Sequence, residues 1–242
     1  PTPLLALPAM ARSAGVAAIR YKDEGGRFEL GSFKALGGAY AGARLIAREI
    51  QRRRGGAEPT LDAILGGAFA DIAASITVCC ATDGNHGRSV AWGAQQAGCK
   101  CRIYIHAEVS KGREEAMAAY GADIIRIKGD YDESVRLAAS EASANNWQII
   151  SDTSYEGYLD VPRYVMAGYT IMVREILDQL DKPPTHVIIQ AGVGGLAGAV
   201  LAAFWAELGE NRPKMIITES EHAACIIESM KAGKASHVPI EE

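Results

Sequence analysis

Ile76-Thr-Val-Cys-Cys-Ala-Thr-Asp-Gly-Asn-His-Gly87 decides how the rest of the chain is read. Its opening residues are β-branched or small and apolar, as a strand buried on both faces requires. A polar turn with two glycines follows. Val90, Ala94 and Ala97 then recur at helical spacing, with Arg88 and Gln95 at other angles. Strand, loop and helix in that order are the repeating step of an α/β fold. The step recurs outward in both directions. Apolar runs at 102–105, 123–127, 147–150, 186–189 and 215–218 alternate with helical patterns at 34–53, 61–74, 87–98, 110–119, 132–145, 162–180, 195–208 and 220–231. Gly98 and Gly121 stand where a helix should end before a strand. The pattern predicts mostly parallel strands flanked by helices.

Composition narrows the function. With 242 residues, 48% of them apolar and 22% charged, the chain can build a sizeable core and reads as an ordinary globular enzyme. A net charge of -4 argues against nucleic acid, or an anionic membrane surface, as the partner. Arg52, Arg53 and Arg54 read as a solvated helix end, because cations suit a helix C-terminus. No apolar run reaches the roughly 20 residues of a membrane span, and no signal-like start is present. Pro1 in place of Met leads us to expect a native start upstream. Five cysteines, odd and sparse, form no disulfide framework and suggest a reducing, cytoplasmic compartment. Cys99-Lys-Cys101 lacks zinc spacing, as do His106, His186, His222 and His237, so no metal is expected.

Three motifs carry chemistry. In Gly31-Ser-Phe-Lys34 a small-residue helix begins at the lysine, where a Schiff base can form if burial destabilises the ammonium. An isolated lysine there would otherwise be a surface residue. Thr82-Asp-Gly-Asn-His-Gly87 lies at a strand end, where open α/β sheets bind ligands. Its glycines admit a planar ligand and Asn85 offers both donor and acceptor, although Asp and Asn also serve ordinary turns. Gln190-Ala-Gly-Val-Gly-Gly-Leu-Ala-Gly198 opens an apolar helix with free N–H groups and a positive dipole end. It matches neither a dinucleotide fingerprint nor a nucleotide P-loop. A phosphate monoester fits better.

Together, and in this order, the motifs resemble the fold type II (tryptophan synthase β-like) pyridoxal-phosphate enzymes. The resemblance covers most of the chain. It implies two open, twisted, mostly parallel sheets flanked by helices, with the cofactor in the cleft between domains. The larger cofactor-binding domain would take 1–40 and 147–242, and a smaller α/β domain would be inserted at 41–146. Lys34 would carry pyridoxal phosphate, Phe33 would lie near its ring, and Asn85 would bond its 3′ oxygen. The phosphate would rest on Gly192, Val193, Gly194 and Gly195. A homodimer is expected. Family members continue well past a point like Glu242, so the resemblance also implies further chain that meets the pyridine nitrogen.

Within that family, Asp83 stands before Gly-Asn-His where dehydratases carry a small uncharged residue. With Ser151-Asp-Thr-Ser-Tyr-Glu-Gly-Tyr158 and the opening Pro1-Thr-Pro-Leu, this is similar to the diaminopropionate ammonia-lyases. Elimination from a small amino acid, D- or L-2,3-diaminopropionate, to pyruvate and two ammonia is the activity implied. A carboxylate can pair with the substrate's second amine and act as a second base opposite Lys34. Asp83 is the expected base and Asp152 the expected acid for the leaving amine. Their plainer readings are an Asx-turn for Asp83 and a cap for Asp152. Glu156 reads as a surface group and His86 as loop packing. A threonine/serine dehydratase, a β-replacement enzyme and a non-catalytic phosphate-ligand-binding module are the alternative functions.

Overall fold

Parallel pairing of short apolar strands organises the chain, seen in a computed structural model that describes residues 1–236 and 238. His237 lies outside the described residues. The chain divides into an outer unit, Pro1–Glu24 with the chain from Tyr169 onward, and an inner unit, Gly25–Gly168. The outer unit opens with β1 (Leu4–Ala6), α1 (Pro8–Ser13) and β2 (Arg20–Lys22). The inner unit carries α2 (Lys34–Arg54), α3 (Leu61–Leu65), α4 (Ala70–Ala73), β3 (Thr77–Ala81), α5 (Asn85–Ala97), β4 (Lys100–Ile105), α6 (Lys111–Ala118), β5 (Asp123–Arg126), α7 (Tyr131–Asn145), β6 (Gln148–Ile149) and all but the last residue of α8 (Asp160–Tyr169). The outer unit resumes with α9 (Ile171–Asp178), β7 (His186–Gln190), α10 (Gly195–Leu208), β8 (Lys214–Thr218) and α11 (Cys225–Ala232).

In the inner unit the strand order is β5–β4–β3–β6, all parallel. Alternation along β3 and β4 sends Cys79 and Tyr104 to one face, against Ala138 and Ala142 of α7. Val78, Cys80, Ile103 and Ile105 point the other way and are fully buried. Covering on both faces explains why β3 is apolar from Val78 to Ala81. Burial pushes the Cys79 and Cys101 thiols up to about 12, so both behave as small apolar groups.

α2 and α5 pack closely, with their register rising together. Ser89 Oγ donates to the Ala35 carbonyl at 3.1 Å and accepts from Ala39 N–H at 2.9 Å, entering the ladder of α2. A Cβ added at Gly93 would stand 2.9 Å from Ala39 Cα. This contact ties α2, from Ala35 onward, to α5 within the inner unit.

The outer unit pairs β7 with β8 in parallel and β1 with β2 antiparallel. β1 and β2 have only three residues each, too short to show alternation, and sequence analysis did not find them. Lys22 Nζ meets Glu175 Oε2 at 2.6 Å and the Thr2 carbonyl at 2.7 Å, which ties this hairpin to α9. Three predicted helices differ in extent. The 61–74 pattern breaks at Gly66 and Gly67, and the 162–180 pattern breaks at Thr170. The last begins at Cys225, after a 3-10 turn, Glu221–Ala223, whose cap is Ser220. No helix among the described residues is long and apolar enough to cross a membrane.

Gly93→Ala should destabilise the protein by about 1–3 kcal/mol, because backbone on both sides must separate. Gly112→Ala, in an open position of α6, should be neutral or stabilising. Thermal melting of the two variants checks the contrast.

Candidate functional site

The parallel packing of α2 on α5 brings the first residues of both helices to one end of the inner unit. Lys34 opens α2, its N–H capped by Ser32 Oγ at 3.1 Å. The approach to it is held from α5: Arg88 donates to the carbonyls of Leu30 at 3.1 Å and Glu29 at 3.4 Å. Arg88 therefore belongs to the site's support and not to a solvated helix face. Phe28 and Glu29 have φ of 49° and 61°, a left-handed pair that costs about 1–2 kcal/mol per residue. The Arg88 bonds and a stack of Phe28 on Trp92, 5.0 Å between centroids, offset that cost.

A cavity of about 380 Å³ opens here, lined by Lys34, Ala81, Thr82, Asp83, Gly84, Asn85, His86, Arg113, Tyr131 and Asp152. Lys34 Nζ donates to Asp152 Oδ2 in a short ion pair; the two side chains are 31% and 16% exposed. Asp152 follows β6 and is held by its loop. Tyr158 Oη donates to the Ile149 carbonyl at 2.9 Å and accepts from Ser151 N–H at 3.0 Å. Glu156 sits exposed at the tip of this loop. Burial pushes the Asp152 carboxyl up, yet the charges of His86 and Lys34 and the Lys34 hydrogen bond outweigh it. The net effect holds Asp152 below the usual carboxylate range.

His86, in the first turn of α5, is buried. Its Nε2 lies 2.9 Å from the Ile150 carbonyl, and its Nδ1 lies 3.7 Å from Asp152 Oδ2. The ring does pack the loop, as the sequence suggested, but it also faces the carboxylate. Asp83 differs from Asp152: its side chain is 57% exposed at the cavity rim, with Oδ1 3.1 Å from His106 Nε2. Glu108 N–H donates to His106 Nδ1 at 3.4 Å, so Nε2 carries the hydrogen and donates to Asp83. Arg113 holds the Asp83 carbonyl at 3.3 Å. Asn85 is exposed at the same rim.

Sequence reasoning missed His106, Arg113 and Tyr131. The available signal was position: His106 directly follows a strand, where side chains reach the ligand end of a parallel sheet. Lys34, Asp83, Asn85 and Asp152 come together in the inner unit. Phe33 precedes Lys34 and is half-buried.

Gly192, Val193, Gly194 and Gly195 belong to the outer unit. Gly194 caps α10 with φ 84°, a left-handed conformation that favours glycine, and a Cβ there would meet Ile226 at 2.9 Å. Cys225 Sγ donates to the Gly192 carbonyl at 2.7 Å, and Glu219 accepts from the N–H groups of Ile226 and Ile227 at 2.8 and 3.0 Å. The first turn of α10 thus presents free N–H groups from a fixed loop, as an anion site requires. Among the described residues no cluster of His, Cys, Asp and Glu could hold a metal.

The family model for pyridoxal-phosphate dependent enzymes matches residues 1–242. The chain is 38% identical over 241 residues to the diaminopropionate ammonia-lyase of Escherichia coli K12, covering 98% of this chain and 59% of that protein. The holo crystal structure of the Escherichia coli enzyme superposes with a TM-score of 0.90 at 37% identity, covering 100% of this chain and 61% of that one. A second structure of that enzyme, holding an aminoacrylate-PLP azomethine reaction intermediate, gives 0.85 at 36% identity over 98% of this chain and 59% of that one. The fold is therefore that of the type II pyridoxal-phosphate enzymes, as expected. Within the inner unit the residues present fit this cofactor: an amine-bearing cavity wall at Lys34 and a buried nitrogen with no hydrogen-bond partner at His86.

The depressed Asp152 carboxyl makes a pH prediction. Its contribution to stability is full above the ordinary carboxylate range and is lost as pH falls through the lowered folded value. Acid melting curves of Asp152→Asn should therefore be flatter than wild type across that range and differ most at neutral pH.

Proposed function

Since the chain belongs to the pyridoxal-phosphate-dependent enzymes, we propose that it is an ammonia-lyase removing the β-amine of 2,3-diaminopropionate, in either enantiomer, to give pyruvate and two ammonia. The observation that carries this reading is the pairing of Lys34 with half-buried Asp152 in a cavity whose rim holds a second carboxylate, Asp83. Two carboxylates in unlike surroundings suit unlike tasks.

Lys34, Phe33 and Asn85, with Gly192, Val193, Gly194 and Gly195, are the residues that would hold the cofactor. When bound, pyridoxal phosphate supplies an electron sink that makes the substrate's Cα–H acidic. Lys34 Nζ takes that proton from one enantiomer and the Asp83 carboxylate takes it from the other. The N–H groups of Asn85 and His86 at the start of α5 receive the substrate carboxylate at a positive helix end, those of Gly87 and Arg88 being held by Thr82 Oγ1 and the Gly84 carbonyl. Asp152 keeps the β-amine protonated until the C–N bond breaks and nitrogen departs with the bonding electrons as ammonia. Water then removes the second nitrogen from the three-carbon remainder.

The same reading makes the protein a cytoplasmic homodimer whose partner is a small amino acid, with neither nucleic acid nor membrane involved. Free cysteines support the compartment. Residues 1–40 and 147–242 are assigned to the larger cofactor-binding domain and 41–146 to the smaller one.

Pyruvate and ammonia should form from both D- and L-2,3-diaminopropionate, with little product from L-threonine or L-serine in parallel. Lys34→Ala should cost about 10³-fold or more in kcat and abolish the visible absorption of bound cofactor. Asp83→Asn should slow one enantiomer far more than the other. Turnover of threonine or serine alone would reassign the chain as a dehydratase.

A further inference from the structure

Asp152 Oδ2 serves two neighbours. Lys34 Nζ bonds it directly, and His86 Nδ1 stands 3.7 Å away, too far for a hydrogen bond but near enough for charge to be felt. The other ring nitrogen settles what Nδ1 is. Nε2 lies 2.9 Å from the Ile150 carbonyl, which can only accept, so Nε2 carries a hydrogen. In the neutral ring Nδ1 is then a bare lone pair. It is buried and has no hydrogen-bond partner, and His86 is only 4% exposed. A polar atom kept in that condition on a cavity wall calls for a function.

We propose that His86 is a positioning residue that shares one proton with Asp152 and returns it to that carboxylate during turnover. The inference rests on the reading of Lys34 as the cofactor lysine. While Lys34 is a free ammonium it holds Asp152 as a carboxylate. Once Lys34 is engaged with cofactor, that cation is gone and His86 is the neighbour left facing Oδ2. The shared proton then rests on Nδ1 and passes through Asp152: the Nδ1–H bond breaks as Oδ2–H forms, and Oδ2–H breaks in turn as an N–H bond forms on the departing β-amine. Asp152 is left a carboxylate and Nδ1 a bare lone pair, and the ring regains its proton from water when product leaves. No electron changes hands. The other titratable or charged groups facing this pair are Lys34 from α2, Cys80 from β3, Arg113 from α6, Tyr131 from α7 and Asp83 at the rim. Of these, Asp83 is taken by His106, and Cys80 is fully buried with its thiol far above the ordinary range, mainly through burial.

Gln and Asn separate the two ring nitrogens. His86→Gln keeps a donor where Nε2 meets Ile150 and deletes the group facing Asp152; His86→Asn does the reverse. The first measurement uses cofactor-free protein: long-range ¹H–¹⁵N spectra of His86 between about pH 5 and 8, in wild type and Asp152→Asn. The Nδ1 signal of wild type should carry the signature of a proton held toward Asp152, and that signature should be lost in Asp152→Asn. In the loaded enzyme His86→Gln should lower kcat at least tenfold, leave KM within about twofold and displace one limb of the pH profile, and His86→Asn should not restore kcat, because an amide has no transferable proton. An Nδ1 titration indifferent to Asp152→Asn, or wild-type kcat and pH profile in His86→Gln, overturns the proposal. The imidazole titration needs only the wild-type and Asp152→Asn folds, so it decides the matter even where His86→Gln does not fold. Turnover retained by Lys34→Ala would instead defeat the lyase reading and leave the titration result standing.

Discussion

Everything in the inner unit follows from how closely α2 can lie on α5. Two helices with ordinary side chains stay about 8–10 Å apart. Here glycine and alanine line the contact, and Gly93 lets backbone meet backbone at Ala39. Ser89 adds a polar lock, answering one carbonyl and one N–H of the opposite helix with a single hydroxyl. Because the register rises together, the two N-termini emerge side by side. That shared end supplies Lys34 from one helix and Asn85 and His86 from the other, next to the parallel strand ends. The apolar small-residue contact is therefore what assembles the polar site.

A carboxylate placed at such an end has to find cations or leave it. Asp152 is mostly buried, and burial alone would drive its carboxyl up; Lys34 and His86 reverse that outcome. Asp83, one strand over, meets water and needs only the neutral His106 beside it. The two acids differ in solvation before any ligand arrives. Two carboxylates in such unlike surroundings suit unlike tasks.

The sequence made the fold legible wherever one residue pattern repeats. β-Branched runs located the strands of both parallel sheets, and Gly98 and Gly121 marked where helices end before them. It lost what depends on short or broken elements: β1 and β2, the breaks at Gly66–Gly67 and Thr170, and the late start of α11. The candidate site divides in the same way. Lys34, Asn85 and Asp83 are readable because each sits in a motif with local chemistry. The Lys34–Asp152 contact joins residues 118 apart in sequence, which no local pattern can announce. His106 was invisible for the same reason, its partner lying on the preceding strand's loop. His86 was visible, but only its packing role was, since the second nitrogen gains meaning from a carboxylate delivered by β6.

The glycine loop of the outer unit presents the complementary problem. A loop of Gly192, Gly194 and Gly195 has more freedom to lose than any other, and an anion that had to order it would bind weakly. The structure removes that freedom in advance. β8 takes the N–H of Ala191 at 2.9 Å, and Cys225 donates its thiol hydrogen to Gly192. Burial and the nearby Glu219 carboxylate push that thiol up, which keeps the hydrogen in place to be donated. Glu219 in turn caps α11, so the helix that carries Cys225 is itself fixed by two backbone bonds. Gly194 can then hold its left-handed turn against Ile226 with no side chain of its own to displace. The entropy cost that glycine imposes is thus met during folding, and the N–H groups at the start of α10 are held in a fixed arrangement, as an anion site requires.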